Sequence, residues 1–181
     1  MNIFISGGCK NGKSLHAQEL ARDMARENGR PLYYIATMIP HDEEDEARIR
    51  RHVAERDGMG FTTLEQGRDI LACLPYAKEE GAFLLDSVTA LLSNEMFQPG
   101  GVMDWNAGER VAEELRQFAL SCVNAVFVSD FIYSDAGRYD EYTEAYRRGL
   151  ALCDKTLARV CDTVVEVCSS HIILHKGELP V

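Results

Sequence analysis

The chain opens Met1-Asn2-Ile3-Phe4-Ile5-Ser6-Gly7-Gly8-Cys9-Lys10-Asn11-Gly12-Lys13-Ser14. Residues 3–6 are apolar and strand-sized, residues 7–14 fit the spacing G-x-x-x-x-G-K-[ST], and residues 13–28 have helical period. Each position in that spacing has a chemical reason. Glycines let successive backbone N–H groups turn inward around phosphate oxygens, and the helix that follows adds its positive dipole end. Lys13 reaches the β- and γ-phosphates of a nucleotide, and the Ser14 hydroxyl is suited to ligate Mg²⁺. The expectation is a nucleotide cradled by Gly7, Gly8, Cys9, Lys10, Asn11, Gly12, Lys13 and Ser14, at the carboxyl end of the first strand.

Outward from this loop, short apolar runs alternate with helical segments. Residues 32–37, 82–86, 125–130 and 163–168 read as further buried strands. Residues 43–56, 88–97, 107–122 and 139–160 read as helices. Strands apolar on both faces and separated by helices mark a mostly parallel sheet covered on both sides. Residues 172–175 follow the last strand too closely for a crossover helix, which predicts antiparallel pairing at an edge. The fold class is therefore α/β, a P-loop NTPase-type three-layer sandwich with a mostly parallel sheet and an antiparallel edge hairpin. No repeat, low-complexity tract or linker interrupts residues 1–181, so one domain is expected.

Composition narrows the partners. Asp+Glu 29 against Lys+Arg 19 give a net charge of −10, which disfavours nucleic acid and anionic membrane because both need a basic field. No apolar run approaches the ~20 residues of a spanning helix, and residues 1–6 lack the basic start of a signal peptide. The six cysteines form no zinc-type spacing, and reduced thiols in a cytoplasmic protein are expected. The Pro99-Gly100-Gly101 stretch before Trp105 and the polar residues 130–140 read as loops, serving either as ligand loops or as plain connections.

Two further segments carry chemistry. Ala82-Phe83-Leu84-Leu85-Asp86 ends an apolar strand with a carboxylate, where a phosphate loop needs a second Mg²⁺ partner; alternatively Asp86 caps the next helix. Asp42-Glu43-Glu44-Asp45-Glu46 precede Arg48, Arg50, Arg51, His52 and Arg56, an order that suits the helix dipole and i,i+4 pairing. Arg48, His52 and Arg56 share one helix face. Flanking guanidinium groups disfavour protonation of the imidazole, leaving a ring nitrogen available as a nucleophile toward phosphorus. A half-buried surface histidine beside Ile49 and Val53 is the other reading.

Taken together these residues resemble the bifunctional adenosylcobinamide kinase/adenosylcobinamide-phosphate guanylyltransferases of cobalamin biosynthesis. The likeness runs through Ile5-Ser6-Gly7-Gly8, Gly12-Lys13-Ser14 with His16-Ala17, and Tyr34-Ile35-Ala36-Thr37. It continues through Ala47-Arg48-Ile49 leading to His52 and Arg56, Phe61-Thr62-Thr63-Leu64-Glu65, and Leu84-Leu85-Asp86 with Thr89 and Asn94. The resemblance implies that His52 carries GMP covalently, and that Ala36, Thr37, Met38, Arg56, Glu65 and Asp86 surround the nucleotide. Lys13 and Asp86 would be catalytic, and Ser14 and Asp86 would hold Mg²⁺. It implies GTP (or ATP) and a corrinoid, adenosylcobinamide, as substrates, and a homo-oligomer, specifically a trimer. The chain departs from the family at Lys10-Asn11 (Arg-Ser in the family), Ser129-Asp130-Phe131-Ile132-Tyr133 (Asn-Glu-x-Gly), Ala151-Leu152-Cys153-Asp154-Lys155 (Gly-x-x-Asn-Gln), and Ser169-Ser170-His171 (a glycine). The alternatives are a P-loop kinase with another small acceptor, using Arg138, Arg147 and Arg148 as cations over the phosphate, and a non-catalytic GTP-binding paralogue.

Overall fold

A computed structural model describes residues 1–77 and 80–180. In chain order the elements are β1 (Asn2–Gly7), α1 (Lys13–Asn28), β2 (Leu32–Ala36), α2 (Glu43–Glu55), β3 (Thr62–Glu65), a 3-10 turn (Ile70–Cys73), α3 (Leu74–Ala77), β4 (Ala82–Asp86), α4 (Val88–Met96), β5 (Phe97–Gln98), β6 (Val102–Met103), α5 (Ala107–Ser121), β7 (Asn124–Val128), α6 (Glu141–Val160), β8 (Thr163–Cys168) and β9 (His171–Lys176). The main sheet has seven strands in the order β3-β2-β4-β7-β1-β8-β9. Its strands pair in parallel except β9, which runs antiparallel to β8.

Alternation along the strands builds two cores. Ile3, Ile5, Leu84, Val126 and Val128 pack with Ala17, Ala21 and Met24 of α1 on one face. Phe4, Phe83, Leu85 and Phe127 turn to the other face, against α4, α5 and α6. This is the period of two that a pleated strand imposes, with both faces covered. α5 and α6 approach most closely at two glycines. A Cβ on Gly108 would stand 2.7 Å from the Gly149 Cα, so the backbones themselves are in contact there.

The helix starts follow local chemistry. The Asp42 carboxylate accepts from the Asp45 N–H at 2.8 Å to cap α2, and Asp140 does the same for Thr143 at 2.8 Å in α6. Ser87 caps α4 by accepting from the Ala90 N–H at 3.2 Å, which leaves Asp86 outside the capping role. α2 is the least embedded long helix, with no buried residue along Glu43–Glu55.

Two β features lie beyond what the sequence pattern predicts, one in the main sheet and one in a separate two-stranded sheet. β3 is an edge strand with mostly exposed side chains, so it lacks the apolar run by which its neighbours were found. Pro99-Gly100-Gly101 forms the tip of a β5–β6 hairpin, where Gly100 and Gly101 both take positive φ. Among the described residues no helix is long and apolar enough to cross a membrane.

Candidate active site

The phosphate-loop sequence takes the expected place between β1 and α1. Gly7 has φ 153° and lies so close to the Val167 carbonyl of β8 that a Cβ would collide with it. The Asn11 side-chain amide donates to the same Val167 carbonyl, tying the loop to the neighbouring strand. Lys13 is buried. Its ammonium donates to Gly8 O at 2.6 Å, to Asn11 Oδ1 at 3.4 Å and to the Asp130 carboxylate at 2.8 Å. Cys9 is exposed and Ser14 half-buried, at the first turn of α1.

Beside this loop lies a cavity of about 730 Å³, roofed by α2 and floored by the carboxyl ends of β2, β3 and β4. Ala36, Met38, His52, Arg56, Glu65 and Asp86 all line it. These residues come from four separate elements and the turns after them, which places them where ligands bind in a parallel sheet. Thr37, grouped with them in the sequence reading, lies underneath. It is fully buried, its hydroxyl donates to Ser87 O at 2.8 Å and accepts from Ser87 N–H at 2.7 Å, and its carbonyl accepts from Asn94 Nδ2 at 2.7 Å. Thr37 shapes the floor, and only backbone neighbours on either side of it reach the cavity. None of Gly7 to Ser14 lines this cavity; Asp130 is the wall residue that connects it to Lys13.

The cationic face predicted on α2 is reorganised by two contacts. The Arg56 guanidinium lies 4.1 Å over the Tyr34 ring and donates to Thr63 Oγ1 at 3.2 Å, so it is buried and held against the sheet. His52 Nδ1 lies 3.2 Å from the Glu55 carboxylate but off the line of a hydrogen bond, so a carboxylate neighbours the ring. Tyr34 donates its hydroxyl to Asp86 Oδ2 at 3.0 Å. Burial, reinforced by the Asp86 charge, holds the phenol proton well beyond its ordinary range, so Tyr34 acts as a donor only.

Among the described residues no group of three or more His, Cys, Asp or Glu side chains could hold a metal ion alone. The oxygen donors present suit Mg²⁺, which keeps water and substrate phosphates as most of its ligands. Asp86 has one carboxylate oxygen occupied by Tyr34 and lines the cavity with the rest, and Ser14 offers a hydroxyl at the head of α1.

Sequence reasoning did not single out Asp130, Tyr34 or Asn94 as organisers of the site. For Asp130 a signal existed: Ala125-Val126-Phe127-Val128-Ser129-Asp130 repeats the pattern of an apolar strand followed by an acid.

Residues 3–173 match the family model described as cobinamide kinase / cobinamide phosphate guanyltransferase. The chain belongs to that family. Among curated relatives, the bifunctional adenosylcobalamin biosynthesis protein CobU of Salmonella typhimurium is 35% identical over 106 residues, covering 58% of this chain and 55% of that protein. CobP of Pseudomonas aeruginosa, carrying the same bifunctional description, is 38% identical over 95 residues, covering 52% of each. The matched part of the chain thus spans about half the length of these relatives. Among solved structures, the ATPase domain of G40P superposes with a TM-score of 0.57 at 10% identity, covering 99% of this chain and 78% of that one. A KaiC-like protein from Pyrococcus horikoshii gives 0.52 at 11% identity, over 97% and 78%. At such identities these two show the fold: a family member built on the sheet of P-loop ATPases.

Proposed function

We propose that this chain is a nucleotide-dependent transferase of cobalamin biosynthesis that performs two phosphorus chemistries in one domain. One step phosphorylates the terminal hydroxyl of adenosylcobinamide from GTP or ATP. The other transfers GMP from GTP to the resulting phosphate through His52. The observation that carries this reading is the single cavity shared by His52, Arg56 and Asp86, opening beside a P-loop lysine, in a chain of this family.

For guanylyl transfer, a small turn of the ring would align Nδ1–H with the Glu55 carboxylate 3.2 Å away and so hold the proton on that nitrogen, leaving the Nε2 lone pair as nucleophile. Nε2 attacks the α-phosphorus, the N–P bond forms, and the bond to the pyrophosphate oxygen breaks. A phosphate oxygen of the corrinoid then attacks the same phosphorus and the N–P bond breaks, restoring the histidine. Arg48 and Arg56 offset the charge that builds on the phosphate oxygens, and backbone amides of Gly7 to Gly12 with Lys13 hold a triphosphate tail. The Glu65 carboxylate at the end of β3 would accept from guanine N1–H and the 2-amino group, a pair that adenine does not offer. Ser14 and Asp86 would hold Mg²⁺, which would supply charge neutralisation at the phosphates. In this reading the protein works in the cytoplasm as a homo-oligomer, a trimer by family resemblance, and engages neither nucleic acid nor membrane.

The test is labelling with [α-³²P]GTP, followed by denaturation and counting of acid-labile label on the protein. Stoichiometric label on the wild-type protein, absent from His52→Ala and discharged by cobinamide phosphate, is the expected result. Unlabelled wild-type protein, or equal label on His52→Ala, refutes guanylyl transfer. Transfer of γ-phosphate to a different acceptor without label would instead assign the chain to small-molecule kinases.

A further inference from the structure

We infer that Asp130 serves the phosphorylation step directly: it is the counter-ion that Lys13 gives up when triphosphate binds, and the freed carboxylate then accepts the proton of the attacking hydroxyl. The inference rests on the reading above for the identity of the acceptor. The exchange at Lys13 does not.

Three observations place Asp130 in this role. First, its carboxylate is bonded to the P-loop ammonium at 2.8 Å, with only 6% of the lysine side chain and 18% of the aspartate side chain exposed. The P-loop cation thus has a protein carboxylate as its anionic partner, and a γ-phosphate binding at Lys13 would compete with it. Second, Asp130 lines the cavity, whereas the other groups that hold the Lys13 ammonium, Gly8 and Asn11, do not. Among the described residues it is therefore the one side chain that both hydrogen-bonds the lysine and lines the space an acceptor would enter. Third, its position is set from behind. The Asp130 N–H donates to Thr89 Oγ1 at 3.0 Å, and the Thr89 carbonyl accepts from the Tyr146 hydroxyl at 2.9 Å. Thr89 sits in the first turn of α4 and Tyr146 in α6, so the backbone of Asp130 is fixed by two helices while its side chain is free to change partner.

The chemistry then closes. A γ-phosphate arriving at Lys13 replaces the aspartate as its anionic partner. The displaced carboxylate faces an acceptor that must approach the same γ-phosphate from the cavity. As the acceptor oxygen bonds to the γ-phosphorus, the bond to the β,γ-bridging oxygen breaks and a nucleoside diphosphate departs. The hydroxyl proton passes to the Asp130 carboxylate, which releases it to water after product leaves.

The two halves of the role predict opposite changes in one variant, which a purely structural residue does not produce. Asp130→Asn keeps a hydrogen-bond acceptor for Lys13 and removes the charge. Inorganic triphosphate with Mg²⁺, measured by calorimetry, should bind on the order of tenfold more tightly, because less of the protein is held in the lysine-occupied state. Phosphorylation of cobinamide should fall on the order of 10²- to 10⁴-fold. Asp130→Glu, which retains the charge, should return triphosphate affinity toward wild type and restore part of the phosphorylation rate. Weaker triphosphate binding in Asp130→Asn, or phosphorylation equal to wild type, overturns the inference even if His52 is labelled normally. Failure of wild-type protein to act on cobinamide overturns the acceptor assignment instead, and the triphosphate measurement still decides the exchange at Lys13.

Discussion

Asp154 offers a quantitative check on the packing beneath the site. It sits on α6 with only 3% of its surface exposed. The Tyr133 hydroxyl donates to Oδ2 at 2.9 Å, and Oδ1 has no hydrogen-bond partner. Burial pushes its carboxyl up to about 6 from the ordinary 3.8; Tyr133 and the Ser129 side chain pull it back down, and the nearby Asp130 charge raises it further. The folded state therefore holds the proton where the unfolded chain has released it. Stability conferred by the protonated form is complete below the unfolded value, declines as pH rises from about 4, and is gone once pH has passed the folded value near 6. The gap corresponds to roughly 3 kcal/mol in full, of which roughly 2–3 kcal/mol falls between pH 4 and pH 7.5. Asp154→Asn cannot ionise. Urea unfolding of both proteins across that range should show the variant gaining on wild type by roughly that amount as pH rises, with most of the gain before pH 6.5. Stability curves that stay parallel would falsify the assignment of a costly buried carboxylate.

Two other substitutions test the framework around the cavity. Gly108→Ala sets a methyl against the Gly149 backbone at 2.7 Å and should lower stability by about 1–3 kcal/mol, while Gly149→Ala, whose nearest approach is 3.2 Å, should cost less; thermal melts rank the pair. Asn94→Ala removes two donations, to Thr37 O at 2.7 Å and Gly67 O at 2.9 Å, leaving carbonyls under the cavity floor unsatisfied. A loss of about 2–4 kcal/mol in urea unfolding is expected, together with weaker nucleotide binding than Gly108→Ala produces at equal stability.

The parallel sheet was readable because burial on both faces leaves continuous apolar runs such as Phe83-Leu84-Leu85 and Val126-Phe127-Val128. β3 escaped for the converse reason: an edge strand with exposed Thr62, Thr63 and Glu65 has no such run. At the candidate site, positions that depend on local pattern along the chain were legible. The structure shows their places and not their roles: Lys13 and Ser14 open α1 after the glycine loop, Asp86 ends β4, and His52 lines the cavity from α2. Long-range pairing was not. Nothing local announces that Lys13 meets Asp130, that Arg56 lies over Tyr34, or that Asn94 bonds a carbonyl 57 residues away. Thr37 shows the same limit in reverse, since its proximity to Ala36 and Met38 in sequence concealed that its side chain points to Ser87.

α2 brings His52 to the cavity yet buries none of its own residues, while the floor below is locked by Asn94, Thr37 and Ser87. Free energy of local opening scales with what an element buries, so the two walls differ in compliance. For His52 as the proposed nucleophile, reach to phosphorus would be set by whatever bridges α2 to the sheet, and Arg56, over Tyr34 and bonded to Thr63, is such a tie at the helix end. In an enzyme of the proposed kind, bound substrate would add a second bridge along the helix. Part of its binding energy would go into bringing histidine and phosphate to bonding distance, with α2 giving way and the floor holding still.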